Sequence, residues 1–131
     1  MKLTTREVVK EDFKNIDKWW YEWQGSIVPH DILPKTGFMA EVDGVPVSAI
    51  FMFKTNSNSA AIQWVVSDKN YREENRGEVL TELIKACEDE WRKDGGQFLF
   101  FWGNNSKFNK SLVDMGFSMG ATDYTELIKK I

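Results

Sequence analysis

Apolar positions along this chain repeat with two periods, and the switches between them mark out its elements. Leu3 to Val9 reads as a short strand. Phe13, Ile16, Trp20 and Trp23 then recur at helical spacing and predict one apolar stripe on a first helix. Trp19 falls off that stripe and becomes a candidate for lining a groove. Residues 25–37 hold two prolines and no clear period, which fits a loop with at most one helical turn. Phe38–Val42 and Val45–Phe53 flank Asp43-Gly44, the strongest hairpin signal in the chain. A polar turn at 56–59 leads to a third meander strand, Ala60–Ser67. Leu80, Leu83, Ile84, Cys87 and Trp91 make one face of a second helix that stops at Gly95-Gly96. The unbroken run Phe98–Trp102 predicts a strand covered on both faces. Asn104 or Asn105 can cap a further helix with Phe108, Leu112 and Met115 inward, ending at Gly116. The pattern of 117–131 fits strand or helix.

A strand, a helix and a strand over 60–102 imply a parallel pair with a right-handed crossover. The fold class is therefore α/β (α+β), a mixed central sheet flanked by helices, with residues 1–131 as one domain. The length supports that: 131 residues suffice for one core and not for two. With 42% apolar and 28% charged residues, disorder is excluded. A net charge of −3 gives no electrostatic case for nucleic acid or an anionic membrane. The single cysteine, Cys87, rules out an intrachain disulfide and a thiolate cluster, and its place on the inward stripe makes it core filling. The single histidine, His30, rules out a multi-histidine metal site and reads as a surface loop residue. No metal is expected. Without a signal segment or a long apolar run, a cytoplasmic, reducing location is the default.

The most informative stretch is 60–77, where an apolar strand ends in a polar loop that closes on Gly77 at a helix start. Backbone N–H groups at the positive end of a helix converge there, a setting suited to phosphate or pyrophosphate. The glycine also has a plain reading, close packing of the helix on the sheet.

This order of elements resembles the GCN5-related N-acetyltransferase superfamily. The family's acyl-coenzyme A signature, Gln/Arg-x-x-Gly-x-Gly/Ala, has its counterpart in Arg72-x-x-Asn75-x-Gly77, opened by Tyr71-Arg72. A second family pattern, an Asn, a helix and then Gly-Phe, is matched by Asn105 and Gly116-Phe117. The resemblance implies a final strand within 117–131, giving the order β-α-β-β-β-α-β-α-β. It implies transfer of an acetyl group from acetyl-CoA to an amine of a small molecule or protein, in a monomer or homodimer. Backbone groups at Val65, Val66 and Ser67 are expected to pair with the pantetheine arm. Tyr71, Arg72, Asn75, Arg76 and Gly77 are expected around the pyrophosphate, and Asn105 and Phe108 at the far end of the arm.

Departures from the pattern bear on catalysis. Asn75 replaces the middle glycine, and it tolerates a left-handed backbone better than most residues. Glu73, Glu74 and Glu78 bring carboxylates to the loop. Leu112 stands where the family often has a catalytic Tyr, and Gln63 offers no useful base on the fourth strand. The remaining catalytic candidates are Tyr124, as the acid from the last strand, and Glu41, as a base acting through water. The alternative is a catalytically inactive module of the same fold that binds or inhibits a partner. The acceptor is expected over Trp19 to Lys35.

Overall fold

The computed structural model describes all residues, Met1–Ile131. Its sheet has five strands in the order β1 (Leu3–Glu7), β2 (Thr36–Val42), β3 (Val45–Phe53), β4 (Ser59–Ser67), β5 (Phe98–Phe100). The first four run antiparallel and β5 lies parallel to β4. The β2–β3 hairpin turns at Asp43 and Gly44, both with positive φ, as the two-residue Asp-Gly turn requires. Helix α1 (Phe13–Gln24) covers one face of the sheet, and α2 (Arg76–Lys93) with α3 (Ser106–Asp114) covers the other. The mixed α+β class is as the pattern predicts.

Two cores result, one per face. On the α2 side, Ile50, Met52, Ile62, Leu83, Ile84 and Cys87 form the larger cluster. On the α1 side, Ile16 and Trp19 pack on Met39, Ala49, Phe51 and Val66. Trp19 is 2% exposed, so it is core and not a groove residue. The helix is apolar over so wide an arc that its period fixes the face but not the centre of the stripe. Trp19, three residues after Ile16, takes that centre. Trp23, at the helix end, remains half-exposed.

Two further expectations give way. The run Phe98–Trp102 is not covered on both faces: Leu99 and Phe101 pack on the larger core, while Phe98, Phe100 and Trp102 remain about half-exposed. Strand β5 is the edge of the sheet and lies beyond the reach of α1, so only one face has a cover. Residues 117–131 form neither strand nor helix, and everything after Phe117 is exposed. The last strand of the expected order is therefore absent, and the segment leaves the apolar surface of Phe98, Phe100 and Trp102 uncovered.

Candidate functional site

Strands β4 and β5 pair only at their beginnings. Ser59, Ala60 and Ala61 face Phe98, Leu99 and Phe100, and the ladder goes no further. Beyond Ala61 the strands splay, leaving the β5-facing edge of β4 without ladder partners. The side chain of Gln63 bridges the narrow end of the gap, Nε2 donating to the Trp102 carbonyl at 3.3 Å.

A bulge shapes the open part. Phe51 of β3 faces Gln63, but Ala49 faces Val66, so β4 carries one extra residue here. Trp64 takes it up with φ 59°, a left-handed conformation rare for a large side chain. The extra residue turns Gln63 and Trp64 to the same face, and the Trp64 ring meets Trp20 edge-on, centroids 6.1 Å apart at 83°. Val65 is thereby returned to the α2 face and Val66 to the α1 face.

The result is a groove of about 440 Å³ that opens through the splay. One wall is Trp20, Trp23, Gln63 and Trp64; the spine is Val65, Val66 and Ser67; the other wall is Phe101, Asn105 and Phe108. Five residues expected at a pantetheine arm are thus brought together. Trp23 ties the end of α1 to the end of β4, its Nε1–H donating to the Ser67 carbonyl at 2.8 Å, with the Lys69 ammonium 5.1 Å from its ring centroid. Asn105 is the cap of α3, its Oδ1 accepting from the Phe108 N–H at 3.0 Å. Its Nδ2 donates to no protein atom and stays free at the groove wall. Phe101 and Phe108 pack at 4.9 Å behind it.

The loop after β4 leads away from the groove to the start of α2. Tyr71 Oη donates to Asn75 Oδ1, and Asn75 Nδ2 reaches the sulfur of Met1 at 3.1 Å. Asn75 is buried with φ −82°, so it braces the loop as the residue before the helix, with no need for a left-handed backbone. Arg72, Glu73, Glu74, Arg76 and Glu78 are all exposed. Gly77 sits in the first turn of α2 with a negative φ, and a Cβ there would meet nothing within 4 Å. Close packing therefore does not explain this glycine.

The catalytic candidates lie elsewhere. Glu41, on β2, accepts from Arg6 at 3.3 Å, and the same guanidinium holds Asp12 through two bonds of 2.8 Å. Tyr124 lies 68% exposed in the tail. Neither lines the groove. His30 lies on the surface as expected, but its Nε2 pairs with Asp17 at 2.9 Å, a contact nothing in the local pattern signals. Trp20 and Trp23 fall within the stretch expected near the acceptor, although the helical period put them on the buried stripe, and Trp64 was not expected as a wall residue. Trp64 in particular follows from the bulge, which leaves no mark in the sequence.

No family model matches the sequence, and no curated protein does. Solved structures do match. An aminoglycoside acetyltransferase from an uncultured soil metagenomic sample superposes with a TM-score of 0.67 at 13% identity, over 98% of this chain and 96% of that one. A ribosomal-protein-alanine N-acetyltransferase from Brucella melitensis biovar Abortus 2308 gives 0.70 at 10% identity over the whole of both chains. The fold is that of the acetyltransferases. The N-acetylglutamate synthase of Neisseria gonorrhoeae, complexed with coenzyme A and N-acetyl-glutamate, gives 0.73 at 17% identity over 92% of this chain and 29% of that one. The two acetyltransferases are named for different acceptors, so the shared fold says nothing of the acceptor here.

Proposed function

We propose that this protein is an N-acetyltransferase that moves an acetyl group from acetyl-CoA to an amine. The observation that carries the reading is the splay of β4 from β5 beyond Ala61, which leaves unpaired strand edge along a mostly apolar groove. An extended, amide-bearing chain fits such an edge as an added strand. Val65, Val66 and Ser67 would supply the edge groups, with the free Nδ2 of Asn105 and the ring of Phe108 at the far wall. Arg72, Arg76 and the N–H groups of the first turn of α2 suit a diphosphate. Gly77 fits that role: a glycine in a helix is unfavourable by about 1 kcal/mol relative to alanine, and here neither φ nor packing calls for it. The exposure of Glu73, Glu74 and Glu78 lets them face solvent, clear of a bound anion.

Acetyl-CoA brings an already activated thioester, so the protein's task is placement. The amine nitrogen bonds the carbonyl carbon, the carbon–sulfur bond breaks, the surplus proton leaves the nitrogen and the sulfur is released as thiol. A backbone N–H near Val66 is our candidate donor to the carbonyl oxygen. We keep Tyr124 as the candidate acid for the sulfur and Glu41 as the candidate base. Tyr124→Phe or Glu41→Gln lowering turnover at unchanged coenzyme affinity would support each role.

The second reading, an inactive binding module, draws on one observation: the groove lining holds no ionisable side chain. Calorimetric titration with acetyl-CoA and with coenzyme A separates the two. Micromolar affinity that Gly77→Trp abolishes is the result expected of the enzyme. A folded protein that binds neither ligand up to millimolar concentration favours the module.

A further inference from the structure

The α1-side wall of the groove is three tryptophans and a glutamine. Trp20 and Trp64 meet edge to face, and Trp23 is pinned over the opening by its bond to the Ser67 carbonyl. No Asp, Glu, His, Lys or Arg lines the groove. The charged residues next in sequence to the lining, Glu22, Asp68 and Lys107, stand outside it. Lys69, two residues beyond Ser67, brings positive charge to the face of Trp23. The indole Nε1–H of Trp20 is buried and has no hydrogen-bond partner.

Together these features choose among amines. Every ammonium carried into an uncharged, apolar groove loses hydration that no carboxylate restores. A polyamine or an amino sugar pays that several times over, and Lys69 repels it further. A single amine meets the penalty once, and sheds it when its proton passes to bulk water and the free base remains, the form that attacks a thioester. Flat aromatic bodies gain most from tryptophan walls, since they bury area on rigid rings and offer edges and faces to them. A buried unpaired donor such as Trp20 Nε1–H lets a small shift of the wall create a bond to an oxygen or ring face of the guest.

On the acetyltransferase reading just given, we propose that the acceptor is an aromatic monoamine, bound between Trp20, Trp23 and Trp64. The acceptor site is then selective for ring and single charge, and discriminates against polycations.

The test measures amine binding and amine turnover separately. Phenethylamine, tryptamine, n-hexylamine and spermidine are titrated calorimetrically into the full chain, with and without coenzyme A, and then assayed with acetyl-CoA for thiol release. An aromatic monoamine binding about tenfold or more tightly than hexylamine, with spermidine weaker still, is the expected order. The partly exposed Trp23 is the variant site: Trp23→Phe should keep the aromatic-to-aliphatic ratio within a few-fold, and Trp23→Ala should bring it close to one. Spermidine binding as well as tryptamine, or a ratio untouched by Trp23→Ala in a folded variant, overturns the proposal. Coenzyme binding with no aromatic preference overturns it while leaving the acetyltransferase reading standing. Aromatic binding without coenzyme binding does the reverse: the site stands as a ligand site and the acetyl-transfer reading falls.

Discussion

Cys87 lies at zero exposure among Leu83, Ile84 and the sheet, and that burial, with Glu88 and Glu90 adding to it, pushes its thiol up to about 12. It is protonated throughout the neutral range and closed to reagents. Native protein at pH 8 should resist iodoacetamide and label only when unfolded; rapid stoichiometric labelling of folded protein would contradict this burial. Asp12 shows the opposite case. The Arg6 guanidinium, above all through its hydrogen bonds, holds the Asp12 carboxyl below the usual range against the pull of burial, with the Val9 N–H assisting at 2.8 Å. A carboxylate lowered in the folded state stabilises the fold above its ordinary value near pH 4, and that stability is lost as pH falls through the lowered value. Asp12→Asn should therefore destabilise the protein at pH 7 and flatten its loss of stability on acidification. Because Arg6 is partly open to water, the effect is set at about 1–3 kcal/mol, below that of a fully buried pair. Denaturant melts at pH 7 and pH 3 measure both.

The helices and strands explain why the site forms where it does. Strand β4 is bulged at Trp64 and unpaired beyond Ala61, so one strand provides both the tryptophan wall and the free edge. Helix α2 starts at a loop braced by Tyr71 and Asn75, which fixes its first turn without using Gly77. Gly77→Ala should then raise stability by about 0.5–1 kcal/mol, while on the proposed function the bulkier Gly77→Trp should abolish coenzyme binding. An alanine variant less stable than the parent, read by thermal melting, would show that the fold needs the glycine after all. Much of this was legible in the chain. Asp43-Gly44 announced its hairpin, and the stripe Leu80, Leu83, Ile84, Cys87 its helix. The centre of the α1 stripe was not, because four closely spaced tryptophan and isoleucine positions satisfy the same period.

For the molecule as a whole, the sheet closes two cores and leaves one apolar strip open. Phe53, Ala61 and Phe100 lie side by side across β3, β4 and β5 on the α1 face, and Phe100 stacks on Trp102 at 5.9 Å. The segment after Phe117 adds no burial to either core. Truncation after Phe117 should change unfolding free energy by less than about 1 kcal/mol, as loss of exposed chain does. It also removes Tyr124. A truncated protein that keeps coenzyme affinity but loses turnover would support the role proposed for that residue, and one that fails to fold would refute the account of the tail.

Periodicity and turn chemistry were enough to determine the element order through α3, the antiparallel meander and the strand–helix–strand crossover, because each is signalled by residues near one another in the chain. The same local signals placed Val65, Val66, Ser67, Asn105 and Phe108 on elements that do converge. Where β4 leaves β5, which way Trp64 points, and which of the first helix's tryptophans is buried are matters of register and of neighbours distant in the chain. A single extra residue in β4 reverses the faces that follow it, and the helix turns until Trp19 fills the space above Met39 and Ala49. Those long-range fits assemble the groove, and no period of two or of 3.6 residues contains them.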